Sequence, residues 1–463
     1  MNKLFGKHSV IRVLFCAAFV ATVCFSAAAE SSAVQRDVQV VQLANGVPLY
    51  VKKNTANRIL SLAVVVKGGT DYLTKDTSGL ENALFSMMTY GSKDYSYEKL
   101  QQLAYEMNFS IAPSSSREGS MLSMSCIDYY FDRVLPVFAD AFINPTYNEA
   151  QYKTLMMNYQ QGLQQLQTDP ESMLGYTMTE TLFKGHPYEV SSSVKPDSIG
   201  SITIENMRKL HDADMDARRI MVVAVGNFDA ERLAQQLNGT IGKIKRQSYE
   251  LASRTVPPLS VSGGPVVVTS DAAAGTGYLQ KAYAGPSYYS DDLAAAYIAS
   301  AMYDQVLFNV VREKYGACYT PSSSILPMKA GLLDVYIYKA SDLAGIVKYE
   351  KEAQDFFASG KVIDGKNADG TFVTASVADR LEGYKNKYVN SFYDSSVTNS
   401  AVAGRIAVSL LEFGDPYTYD EIIDRIQAVT ADDVTRAFKK YWVDNPSRWF
   451  AVVGPADKDN IRF

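Results

Sequence analysis

Beyond residue 29 the chain offers few side chains able to hold a metal or attack a bond: two histidines, His186 and His211, and two cysteines, Cys126 and Cys318. Imidazole and thiolate metal sites need ligands at short, fixed spacings, and no pair here has one. His186 sits in the loop-like string "GHPY"; His211 lies in a helical stretch beside Asp212 and Asp214, which reads as a polar face or a surface histidine. Two widely separated cysteines make no disulfide scaffold, and two buried thiols are the expectation. Serine chemistry fares no better. There is no G-x-S-x-G, and Ser192 with Lys195 fits S-x-x-K only as a Ser-rich loop does by chance. Walker-type and dinucleotide glycine fingerprints are missing too. These residues support no self-contained catalytic centre.

The surrounding elements are more informative. "VQVVQLANGVPLYVKKN" (38–54) alternates apolar and polar around Asn45-Gly46, a hairpin signal. "RILSLAVVVKGG" (58–69) is a strand running into glycines, and helical patterns follow at 78–90 and 96–107. A strand pair is expected over 110–127, and amphipathic helices over 129–142 and 147–182. The stretch 202–231 reads as a Thr-led helix, an arginine and a buried strand ending in glycine; 429–459 repeats that order. Thr203 and Thr430, like Gly226 and Gly454, keep nearly the same offset, the mark of a duplicated unit. Residues 245–265, rich in Pro, Ser and Gly, read as a linker between an N-terminal half (36–244) and a C-terminal half (266–463). In the second half, strands are expected near 266–269 and 278–284, a helix from about 290 to 314, further strands to 339, and helices onward. Frequent hairpins favour an α+β fold over a doubly wound parallel sheet.

Gly79-Leu80 opening a helix, "YGSKDYS" after it, "TDPESM" and "TLFKGHPY" within 168–188, "VVAVGNFD", and "VREKYGACYT" (311–320) occur in an order that resembles the pitrilysin-type zinc peptidases. This superfamily includes insulinase and mitochondrial processing peptidase, and the likeness spans nearly the whole mature chain. It implies two homologous α/β-sandwich halves forming a clamshell around a chamber. Active members carry H-x-x-E-H on the first helix, two zinc-binding histidines with a general-base glutamate between them, and a distal glutamate roughly seventy-five residues on. The resemblance puts the first ligand on Asn82, the base on Phe85 and the second ligand on Ser86. The distal glutamate falls within "NYQQGLQQL" (158–166), which has no acid. All four positions have lost their chemistry, and Phe85, Met87 and Met88 read as packing residues around a vacated site. What the resemblance retains is an arginine and a tyrosine seven positions apart, Arg312 and Tyr319. In active relatives such a pair clamps a peptide carbonyl and donates to the developing oxyanion. Read without the family, Arg312 would be a helix-end charge and Tyr319 an amphipathic strand residue.

Apolar content of 47% with 21% charged residues describes a soluble globular protein. Residues 1–29 read as a secretory signal peptide: Lys3, Lys7 and Arg12, the apolar run "VLFCAAFVATVCF", then Ala27-Ala28-Ala29. Their loss takes the net charge from -5 to -8, which argues against nucleic acid and anionic membrane surfaces. The expectation is a periplasmic or secreted chain with no anchor and no cofactor of its own. The family resemblance points to a non-catalytic subunit of a heterodimeric zinc endopeptidase, giving Arg312 and Tyr319 to a homologous partner that holds the zinc. An inactive peptide-binding or scaffolding protein of the same fold is the alternative.

Overall fold

At Asn45-Gly46 the chain reverses on a left-handed glycine (φ +81°), folding β1 (Val38–Gln42) antiparallel onto β2 (Pro48–Lys53). The computed structural model describes residues 36–463, so the expected signal peptide lies outside the described residues. β3 (Ile59–Lys67) follows, seven of its nine residues buried, as befits a central strand covered on both faces. Helices α1 (Leu80–Met87) and α2 (Tyr97–Met107) precede the hairpin of β4 (Ser110–Ser115) and β5 (Gly119–Ile127). Then come α3 (Phe131–Ile143), α4 (Glu149–Thr168), α5 (Pro170–Leu182), α6 (Ile204–Asp214), β6 (Ile220–Gly226) and α7 (Ala230–Asn238).

The second half opens with β7 (Val266–Thr269), β8 (Gly277–Ala284) and α8 (Leu293–Leu307). The expected helix to 314 changes hand-hold at Phe308: residues Phe308–Lys314 are a π-helical turn. β9 (Cys318–Leu326) and β10 (Leu332–Ala340) make a hairpin, followed by α9 (Ile346–Ala358). A further hairpin, β11 (Lys361–Lys366) and β12 (Phe372–Ser376), stands where only helices were expected. The chain ends with α10 (Val377–Asp394), α11 (Asn399–Phe413), α12 (Ile422–Ala428), α13 (Ala431–Phe438) and β13 (Ser447–Val453). Among the described residues no helix is long and apolar enough to cross a membrane.

The two main sheets share one topology. The first runs β1-β2-β6-β3-β5-β4 and the second β7-β13-β8-β10-β9. In each, the strand that closes the repeated unit enters between two early strands, parallel to one and antiparallel to the other: β6 between β2 and β3, β13 between β7 and β8. Thr203 and Thr430 each cap the helix before that strand, accepting from the Asn206 and Asp433 amides. The duplication seen in the sequence is a duplication of fold, two α/β-sandwich halves of a clamshell.

Each half lends a helix to the other. Leu174, Met178 and Leu182 of α5 pack on Tyr278, Ala282, Phe450 and Val452 of the second sheet. In return Ala403, Ile406, Ala407 and Leu410 of α11 cover Ala63, Val65, Met221, Val223 and Val225 of the first. Residues Asp37–Phe463 accordingly form one unit. The segment 245–265 has no regular structure, yet Leu259 and Val261 are buried against the second sheet, and Arg254 donates to the Leu73 carbonyl.

Candidate functional site

Helix α1 starts where only glycine fits. Gly79 sits at φ +81°, and a Cβ there would lie 2.4 Å from the Val194 backbone nitrogen. This fixes the start of the helix, whose first turn carries Glu81 and Asn82 and whose second carries Phe85 and Ser86. Phe85 is fully buried with Met87 and Met88, its ring 6.5 Å from that of Phe142. Asn82 and Ser86 are half-buried, and the Ser86 hydroxyl donates back to the Asn82 carbonyl at 2.8 Å.

The side chain facing Asn82 comes from α4, the helix expected to bear the distal glutamate. It is Tyr159, whose hydroxyl donates to Asn82 Oδ1 at 2.9 Å. Burial pushes the Tyr159 phenol up to about 12, so at neutral pH it is a neutral donor and no phenolate ligand. An amide, a phenyl ring, a hydroxyl and a neutral phenol do not fit a zinc ion, which takes imidazole, thiolate or carboxylate. Among the described residues no three His, Cys, Asp or Glu side chains gather closely enough to hold a metal.

Glu81, beside Asn82, is almost wholly buried, and its Oε1 has no hydrogen-bond partner. Burial first, and then the charge of Asp214, raise its carboxyl to about 8, against the opposing pull of Arg219 and Ser120. Arg219 pairs with Asp214 at 2.8 Å and lies 3.5 Å from the centre of the Tyr72 ring. The result is a buried acid–acid–cation cluster under the first turn of α1.

The remaining reactive side chains are tied down. His211 is buried, not on the surface: its Nε2 donates to the Phe142 carbonyl at 2.9 Å, and burial lowers its pKa. Both His186 nitrogens are engaged, Nε2 with the Pro257 carbonyl and Nδ1 with the Tyr188 amide. Cys126 and Cys318 are unpaired and buried, and burial pushes both thiols up to about 11, leaving them inert. Lys195, the basic member of S-x-x-K, is paired with Glu180 and donates to the Glu189 carbonyl.

Arg312 and Tyr319 come together. Arg312 rides the π-helical turn, a feature frequent at functional sites because it shifts the aim of side chains beyond it. Tyr319 is the second residue of β9, an edge strand, and is 63% exposed. The guanidinium carbon lies 5.3 Å from the Tyr319 ring centre and 4.9 Å from that of Phe308. The neighbouring acids are engaged elsewhere, Glu313 with Lys366 and Glu352 with Lys314. Arg312 makes no ion pair among the described residues, which leaves a half-exposed guanidinium and an exposed phenol free to meet a ligand.

Sequence reading missed Tyr159 and Glu81. The only signal for Tyr159 was its place within the stretch that should hold the distal ligand; Glu81 looked like an ordinary first-turn acid.

Residues 49–194 match the family model for insulinase, peptidase family M16, and residues 201–363 match the model for the peptidase M16 inactive domain. The probable mitochondrial-processing peptidase subunit beta of Arabidopsis thaliana is 20% identical over 427 residues, covering 90% of this chain and 78% of that protein. A peptidase M16 inactive domain from Pseudomonas fluorescens superposes with a TM-score of 0.74 at 15% identity, covering 90% of this chain and 98% of its own. The periplasmic protease PqqL from Escherichia coli superposes at 0.73 with 16% identity; the match covers 92% of this chain and 46% of that one. At these identities the structural likenesses speak for the fold.

Proposed function

The chain belongs to the M16 insulinase-type peptidase family, without the family's zinc ligands, and from that premise we propose that it is the non-catalytic subunit of an exported heterodimeric zinc endopeptidase. The observation that carries this is an asymmetry. The expected zinc positions are knitted shut by the Tyr159–Asn82 bond and the packed Phe85, while the half-buried Arg312 and the exposed Tyr319 stay adjacent, and Arg312 makes no ion pair among the described residues. A chain that had lost all peptide chemistry has no reason to keep a lone cation beside an exposed phenol on a sheet edge.

In the complex, Arg312 would hold a peptide carbonyl or carboxylate through its planar fork of donors. Tyr319 would donate its hydroxyl to the oxygen that gains charge as the carbonyl is attacked. Zinc and the attacking water belong to a homologous partner with an intact H-x-x-E-H. Size supports the split: this chain matches less than half of the periplasmic protease PqqL. The periplasmic location of that relative and the leader-like first 29 residues support the periplasm as its location.

The test is purification of the tagged chain from its native host, with identification of what accompanies it and assay of an unstructured peptide. An M16 relative carrying H-x-x-E-H, with cleavage only when both chains are present, supports the subunit reading. A chain that purifies without such a relative and still binds peptide makes it a scaffold.

A further inference from the structure

Beyond Tyr319 the sheet carries a second cation. Lys339 of β10 has φ +52°, a left-handed conformation rare for a residue with a side chain, and the strand register shifts between Ile337 and Ala340 around it. A bulge of this kind re-aims side chains beside binding sites. Here it sets Tyr338 edge-on to two neighbours across the sheet, Tyr319 of β9 at 5.9 Å and Tyr278 of β8 at 5.4 Å between ring centres. The Lys339 ammonium lies 5.2 Å from the Tyr338 ring centre, as the Arg312 guanidinium lies 5.3 Å from that of Tyr319. Lys339 is exposed and, like Arg312, makes no ion pair among the described residues. Acids border the same face from the side of Tyr278 and Tyr336, the rings 5.4 and 6.2 Å from Tyr338: Asp169 and Glu171 act on Tyr278 and Glu171 on Tyr336, away from the ring that Arg312 covers.

We infer that Arg312, Tyr319, Tyr338 and Lys339 form a subsite for an extended peptide bearing a carboxylate, in which Lys339 determines specificity. Each cation sits over one ring of a two-ring shelf, so one peptide can meet both. An extended chain advances about 3.3 Å per residue and shows alternate side chains on one face. The 5.9 Å between the two rings therefore corresponds to a carboxylate two residues from the carbonyl held at Arg312. The shelf selects against lysine and arginine at that place and for aspartate, glutamate or a chain end. The inference rests on the reading above only in taking a peptide as the ligand.

The test is fluorescence anisotropy with the intact chain alone, using unstructured labelled peptides: one with central Glu residues and an amidated end, and the same with Gln or with Lys in their place. A fourth is the Gln peptide with a free C-terminus. The Glu peptide, or the free-ended one if the carboxylate is terminal, is expected to bind about tenfold more tightly than the amidated Gln peptide. In Lys339→Gln that ratio should fall to between one and two, and Lys339→Arg should keep it. Equal affinities for the amidated Glu, Gln and free-ended peptides, or a ratio unchanged in Lys339→Gln, would overturn the subsite. So would a lack of binding to any of them, and cleavage by the reconstituted pair would still decide the subunit reading separately.

Discussion

The Tyr159 hydroxyl and Asn82 Oδ1 meet at 2.9 Å, joining α4 to α1. The family resemblance puts the first-ligand position on Asn82 and the distal carboxylate on the helix that carries Tyr159. The pair is a neutral hydrogen bond, which holds the two helices together without an ion. Tyr159→Phe should therefore lower stability by about 1–2 kcal/mol, the range for leaving a half-buried polar group unsatisfied. Urea midpoints of the two proteins check this, and an unchanged midpoint would show that the bond holds nothing.

Restoring the motif calls for more than the motif. Asn82→His, Phe85→Glu and Ser86→His together still leave Tyr159 against the first ligand and put a carboxylate where Phe85 is fully buried. The triple variant should bind zinc weakly and lose about 2 kcal/mol or more of stability. Adding Tyr159→Glu supplies the missing anionic donor and should tighten zinc binding by at least tenfold, read by chelator competition. Tight binding in the triple variant would mean that Tyr159 does not block the site.

Glu81 gives a pH dependence with a defined sign. Its folded-state pKa, about 8, lies above the ordinary 4.5 because burial disfavours its charged form. A protonated Glu81 thus contributes stability that is complete below pH 4.5 and is lost as the pH rises toward 8. Asp214, raised by burial to about 6 against the pull of Arg219, acts in the same direction. Glu81→Gln should flatten the fall in melting temperature between about pH 4.5 and 8, so that the variant gains on the parent chain at the alkaline end. A parallel offset at every pH would place Glu81 outside this titration.

The exchanged helices predict a single unfolding event. Leu410 of α11 is buried on the first sheet although it follows the second sheet's hairpins in the chain. Leu410→Ala should cost about 2–5 kcal/mol and lower the whole transition in calorimetry, not one of two. Residues 36–244 expressed alone would expose Ala63, Val65, Met221 and Val223 and should be insoluble. Two separable transitions would contradict this.

Much of this was legible in the chain. Asn45-Gly46, the apolar run at 59–67 and the repeated Thr-helix-strand-Gly unit announce their elements locally, because turn chemistry and periodicity are local properties. That Asn82, Phe85 and Ser86, where the resemblance puts the zinc motif, offer neither imidazole nor carboxylate is equally plain, since it depends only on residue type. Helix exchange was not legible: an amphipathic stripe on α5 or α11 says that a face is buried, not which sheet buries it. The Tyr159–Asn82 bond and the Glu81 cluster join residues 77 or more than a hundred positions apart, and only the fold brings them together. The β11–β12 hairpin did carry a signal, Asp-Gly at 369–370 between β-rich stretches, which the helical expectation overrode.

Tyr319 provides the sharpest test of mechanism, because one atom separates two readings. Its ring packs against Tyr338 and under the Arg312 guanidinium, contacts that a phenylalanine would keep, whereas its hydroxyl makes no hydrogen bond to any described residue. Tyr319→Phe should therefore leave folding and assembly intact. If the hydroxyl stabilises the oxyanion in the complex, peptide cleavage by the reconstituted pair should fall about 10²-fold, mainly in kcat. Arg312→Ala should raise KM as well, since it removes a charge-assisted clamp that also acts before the reaction. Steady-state cleavage of a model peptide, with assembly checked by gel filtration, measures both. An intact Tyr319→Phe complex with unchanged kcat and KM would reduce the pair to a structural contact and leave peptide binding as the chain's whole task.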